Sequence, residues 1–131
     1  MPFIFLTRPL IEQLHKMQIK RFGGSYGLRD EGSLESALAR PINKAQYGSD
    51  DIIELAAAYL FELAKNHAFT FIDGNKRIAI VATAVFLMEN GYRIQTTDAN
   101  LYSFVVAVAA GEIDEEGATR FLRDVCAPYT D

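Results

Sequence analysis

The chain has 131 residues, half of them hydrophobic and 23% charged, with a net charge of −4 and one cysteine. That length suits a single domain with a real hydrophobic core, and the composition lies well away from that of disordered chains. The acidic balance argues against general nucleic-acid binding, which usually needs a clustered basic face, and a lone Cys126 excludes both an internal disulfide and a cysteine zinc site.

Cys126 fits a reducing compartment, and its plainest role is that of a small buried hydrophobe. The longest uncharged apolar run, Ile78 to Met88, falls well short of the roughly 20 residues that span a bilayer. No cationic region precedes the apolar run Phe3 to Leu6, so no secretory signal is expected. A cytoplasmic protein with no membrane association follows from these readings.

Phe3 to Leu6 is too short to classify, and a strand or an extended lead-in both fit. Thr7 then reads as a helix N-cap with Pro9 in the first turn, and Leu10, Leu14 and Met17 recur at helical spacing through Lys20. His15 reads as a surface or boundary histidine, and Lys16, Lys20 and Arg21 as a solvated face. Arg21 to Gly32 is glycine-rich without an apolar period, a loop of a length often found to be functional. Ser33 is expected to cap a short helix bearing Leu34, Ala37 and Leu38 that Pro41 ends. Residues 42–48 are ambiguous.

Asp50 and Asp51 open a third helix whose stripe is Ile52, Ala56, Tyr59, Leu60 and Leu63, with His67 close to that stripe at its end. A fourth helix is expected from Gly74 or Asn75 to about Asn90. It is apolar on every side, so the rest of the fold should surround it. Asn90-Gly91 stops it, and Tyr92 to Gln95 is a short extended piece with the N-terminal run as a possible partner. Thr97-Asp98 caps a fifth helix with Leu101, Phe104, Val105 and Val108, closed by Gly111. Asp114 opens a sixth with Phe121, Leu122 and Val125, ending near Pro128. The expectation is an all-α domain over residues 1–131, about six helices around a buried central one, with at most one short strand pair.

The chemistry lies in Asn66 to Arg77. Asp73 and Asn75 are strong N-cap formers and Gly74 permits close backbone approach, so this loop should open the central helix with free amides outward. Those amides, the positive end of the macrodipole, Lys76 and Arg77 form an anion site suited to phosphate. His67 suits proton abstraction from a hydroxyl, and Asp73 is the single carboxylate that Mg²⁺ usually takes from a protein when phosphates complete its shell. Arg77 can clamp a phosphate bidentately while Lys76 acts as a point charge. Phosphoryl or nucleotidyl transfer would follow; the alternative is a plain N-cap beside a solvated Lys-Arg pair.

Asp73-Gly74-Asn75-Lys76-Arg77 resembles the second half of the Fic/Doc family motif, His-x-Phe-x-Asp/Glu-Gly/Ala-Asn-Gly/Lys-Arg. The resemblance is to the Doc (death-on-curing) branch and covers nearly the whole chain, through Leu14-His15, Arg21-Phe22-Gly23-Gly24, the Leu28 to Gly32 loop, Asn90-Gly91 and Ala110 to Ile113. It implies the Fic fold and a catalytic base, His67, acting on a Ser, Thr or Tyr hydroxyl of a target protein. It also implies Asp73 as the Mg²⁺ ligand, Gly74 and Asn75 lining an anion hole, Arg77 on the nucleotide phosphates, and a packing role for Phe69 or Phe71. Lys76 stands where AMP-transferring Fic proteins have glycine. The lysine form is typical of Doc, in which ATP binds reversed and the γ-phosphoryl is transferred; AMP transfer is the alternative. The implied biology is a bacterial toxin that arrests growth by modifying a protein such as a translation factor.

One departure bears on catalysis. His67 and Asp73 are six positions apart, two more than in the family motif. Either residues 68–72 carry two extra residues and His67 remains the base, or the register runs back from Arg77 and Phe69 occupies the base position. The second case would leave a Fic-fold binding protein without catalysis. No glutamate has Ser or Thr four residues before it, so the internal inhibitory helix of many Fic proteins has no counterpart. Restraint is expected from a separate small antitoxin chain whose disordered tail folds onto the toxin.

Overall fold

The computed structural model describes residues 3–23, 27, 30–65 and 72–129, with residues 72–74 described by their backbone alone. Among the described residues the order is α1 (Arg8–Phe22), α2 (Glu31–Gln46), α3 (Ile52–Lys65), α4 (Ile72–Glu89), β1 (Tyr92–Ile94), α5 (Asp98–Ala109), α6 (Glu115–Val125) and β2 (Cys126–Pro128). Six helices with one small strand pair agree with the all-α expectation.

Thr7 caps α1, its hydroxyl accepting from the Leu10 amide at 3.4 Å, with Pro9 in the first turn where a missing N–H costs nothing. The helix runs two residues beyond Lys20 and stops at Gly23, whose φ of +86° suits glycine and whose N–H donates to the Ile19 carbonyl at 2.8 Å. Its buried face is not the expected one. Ile11 and His15 are fully buried, Leu10 and Leu14 only partly, and Met17 is 57% exposed. The stripe is rotated because α1 packs against α4, and one histidine read as peripheral becomes part of the core.

Asp30, not Ser33, caps α2, with its carboxylate accepting from the Ser33 amide at 3.1 Å. Pro41 does not end this helix. It lies inside it with its ring buried, at helical spacing from Leu34, Ala37 and Leu38, and the helix continues to Gln46, so the ambiguous segment is largely helical. The lost backbone hydrogen bond of an interior proline is offset in part by burying its ring in the core.

The hub is a helix pair. α4 is surrounded as expected, with every residue from Asn75 to Leu87 buried or half-buried, and it packs on α1, α3, α5 and β1. α3 is equally central and packs on α2, α4, α5 and α6. Beyond its expected stripe it buries Ile53, Leu55, Ala57, Ala58 and Ala64. The alanines weaken any amphipathic signal, yet their small side chains let neighbouring backbones come close.

β1 pairs antiparallel with β2, in register Tyr92↔Pro128, Arg93↔Ala127 and Ile94↔Cys126, rather than with the N-terminal run. That run stays extended and is held by side chains. Asn90 receives the Ile4 amide on Oδ1 at 2.9 Å and donates from Nδ2 to the carbonyls of Ile4 at 2.9 Å and Phe86 at 2.8 Å. Deeper in, the Leu6 amide donates to the Tyr59 hydroxyl at 3.0 Å, and Phe86 packs between the rings of Phe5 and Tyr59. Thr97 and Asp114 cap α5 and α6 as the sequence suggests. α6 is fixed to the start of α3 by an Arg123–Asp51 ion pair at 2.6 Å and to α2 by Lys44–Glu115 at 2.7 Å.

Candidate functional site

The motif is positioned by the hub. α3 ends at Lys65 and α4 begins at Ile72, so the connection carrying His67, Phe69 and Phe71 lies outside the described residues. α4 starts earlier than expected. Positions 73, 74 and 75 therefore lie inside its first turn instead of capping it, and a carboxylate there is favoured by the macrodipole as it would be at a cap. The first four amides of a helix have no intrahelical acceptor, which is the general reason that helix starts suit anions. Helical spacing puts position 73 one turn before positions 76 and 77, on one side of the helix. The side chain of Asp73 itself is outside the description.

Asn75 takes the other side. It is 1% exposed and falls at helical spacing with buried Ile78, Ala79, Ala82 and Phe86, which anchors the turn to the core. Lys76 and Arg77 are half-buried at its edge. The Arg77 guanidinium carbon sits 5.2 Å from the centre of the Phe22 ring, at the last residue of α1. A second guanidinium, that of Arg21, lies 5.3 Å from the same ring. The buried His15 imidazole is held below the ordinary histidine range, first by burial and then by the positive charge of Arg77.

His15 and Phe22 are thus site neighbours that the helical stripe misassigned or passed over. A signal was present: they stand seven residues apart, which returns to the same helix face after two turns. The stretch 21–32, read as a loop that could be functional or a packed connector, contributes Phe22 through the end of α1; of its later part only Gly27 and Asp30–Gly32 are described.

Two clefts among the described residues lie away from the motif. One of about 600 Å³ is lined by Arg40, Lys44, Glu115 and Arg120, and another of about 710 Å³ by Asp50, Asp51, Tyr92 and Cys126. In the first, basic groups already face carboxylates, Arg40 and Lys44 pairing with Glu115 and Arg120 with Glu116, so it offers little net field for an anion. Among the described residues no group of three or more His, Cys, Asp or Glu is gathered to hold a metal ion, and no helix is long and apolar enough to cross a membrane. Cys126 is half-buried, and burial pushes its thiol up to about 11.

Comparison with known proteins identifies the family. The chain is 35% identical over 111 residues to the "Protein kinase doc" of Escherichia phage P1, covering 84% of this chain and 86% of that protein. It is 46% identical over 76 residues to the "Toxin Doc" of Mycolicibacterium smegmatis, covering 56% of each. The sequence profile described as the Fic/DOC family matches residues 5–87, which takes in α1, α2, α3 and nearly all of α4 with the motif at its start. This chain belongs to the Fic/DOC family.

Proposed function

We propose that the chain is a Doc-like toxin that transfers the γ-phosphoryl group of ATP to a Ser or Thr hydroxyl of a target protein, such as a translation factor, and so arrests growth. The observation that carries this reading is the start of α4, where Lys76 and Arg77 stand half-buried just after its first turn, at the edge of a buried hub. Similarity to a relative named as a protein kinase supports the choice of phosphoryl over AMP transfer.

In this reading His67 accepts the proton of the target hydroxyl as its oxygen attacks the γ-phosphorus. The bond from that phosphorus to the β–γ bridging oxygen breaks, ADP leaves, and a phosphoester remains on the target. Lys76 and Arg77 hold the phosphate oxygens through the transfer, while Gly74 and Asn75 line the anion hole; such positioning and charge stabilisation account for most of the catalysis of phosphoryl transfer. Mg²⁺ fits this donor set, because the motif offers one carboxylate, Asp73, and a Mg²⁺ site usually takes only one or two from protein when ATP phosphates are present. When bound, the ion would neutralise charge across those phosphates. A small antitoxin chain would restrain the activity in the cell.

The test uses purified chain, Mg²⁺ and a bacterial lysate with ATP labelled at the γ- or the α-phosphate, wild type against His67→Ala. Label on a lysate protein from the γ-position only, lost in the variant, is the expected result. Label from the α-position would replace the reading with AMP transfer. The two-residue excess between His67 and Asp73 favours one further reading, a binding protein with Phe69 in the base position, and absence of His67-dependent label from either nucleotide would select it.

A further inference from the structure

Arg77 leaves α4 within about one turn of its start and meets the end of a different helix. α1 presents Phe22 and His15 on one face, two turns apart, and that helix packs on α4. The Phe22 ring, 55% exposed, has the Arg77 guanidinium 5.2 Å from its centre, within the range of a cation–π contact. His15 forms the buried part of the same face. The helix ends immediately after Phe22, at Gly23, where a φ of +86° and the bond from its N–H to the Ile19 carbonyl stop the chain. The carbonyl end of α1, negative by its macrodipole, lies beside the same residue.

We infer that Phe22 is a positioning residue for Arg77, holding its guanidinium plane toward the phosphates of a nucleotide bound at the start of α4. The inference rests on the proposed phosphate site. A long arginine side chain loses rotamer freedom when it clamps an anion, and a flat apolar platform that already restricts it reduces that loss. Planarity matters here, since only a guanidinium both stacks on a ring and forks two N–H groups toward one phosphate. Because Phe22 stands at a helix end and is more than half exposed, it can be changed without opening the core.

The experiment measures ATP·Mg²⁺ affinity by calorimetry for the wild type, Phe22→Leu, Phe22→Tyr, Arg77→Ala and the double variant Phe22→Leu/Arg77→Ala. In parallel, the Nε–Hε resonance of Arg77 is followed by NMR, assigned by its loss in Arg77→Ala. Phe22→Leu keeps apolar bulk and removes the ring. It should weaken binding by about 2- to 5-fold, the range of an exposed cation–π contact, and abolish the ring-current shift of Arg77. Phe22→Tyr should restore both. The double variant should bind no more weakly than Arg77→Ala, because the platform acts only through that arginine. If the wild type binds ATP and Phe22→Leu binds it equally well, the positioning role is overturned and the phosphate site stands. A wild type that binds no ATP overturns both.

Discussion

Tyr59→Phe removes one oxygen from the centre of the molecule and nothing else. The Tyr59 hydroxyl accepts the Leu6 amide at 3.0 Å, and both residues are buried. Burial raises the phenol to about 12, so it stays protonated, and available as an acceptor, throughout the ordinary pH range. The variant keeps the ring that packs 4.8 Å from Phe86, so no cavity term arises. What remains is a buried N–H without an acceptor, a cost of about 1–3 kcal/mol. For a chain of this size that corresponds to a fall in melting temperature of roughly 3–5 °C per kcal/mol.

The Leu6 amide belongs to an extended segment that α1 follows, so residues 3–6 could detach locally, and the cost of undocking them caps the loss. Urea denaturation gives the midpoint and slope, and hydrogen exchange on the amides of residues 4–6 shows whether the segment has loosened. The expected result is a lower midpoint with an unchanged slope, or, if local release is cheaper, faster exchange at residues 4–6 with a smaller midpoint change. An unchanged midpoint together with unchanged exchange would refute the buried hydrogen bond as the tether of the N-terminal run.

His67→Ala and Arg77→Ala should each abolish growth arrest on induction in bacteria while circular dichroism shows the helices intact; undiminished arrest by His67→Ala would remove it from the mechanism. His15 is held below its ordinary range in the folded state, so between about pH 6.5 and its folded pKa the unfolded chain binds more protons. Stability should therefore fall as the pH drops below about 6.5, and urea midpoints should show less of that fall in Arg77→Ala, where the neighbouring positive charge is gone. Cys126, with its thiol pushed to about 11, should react slowly with a disulfide reagent at pH 8, and the rate should rise about tenfold per pH unit up to that value as thiolate forms. A plateau near pH 9 would mean the thiol is not desolvated as the strand pair implies.

Helix caps were legible because they are local. Thr7, Thr97 and Asp114 each need only the amide three residues on, and each takes it. The proposed phosphate site was open to the same local reading, since its acid, amide and cations all lie within five consecutive residues. Pro41 was misread because the propensity against an interior proline ignores the core that its ring fills. The partner of β1 was misread because strand pairing is set by where the chain returns. α6 delivers Cys126–Pro128 to that edge, while the N-terminal run is claimed by Asn90 and Tyr59.

The face of α1 is the most instructive miss, because the same oversight concealed part of the site. Leu10, Leu14 and Met17 are all apolar at helical spacing, whereas Ile11 stands one turn from a histidine, so a one-helix pattern puts the histidine outside. The structure buries it beside a cation more than sixty residues away in sequence. An imidazole held neutral by burial and by a neighbouring positive charge can line a core without adding a second positive charge beside Arg77, which a lysine at that position would bring. On that argument α1 is part of the arginine's surroundings as well as a packing element.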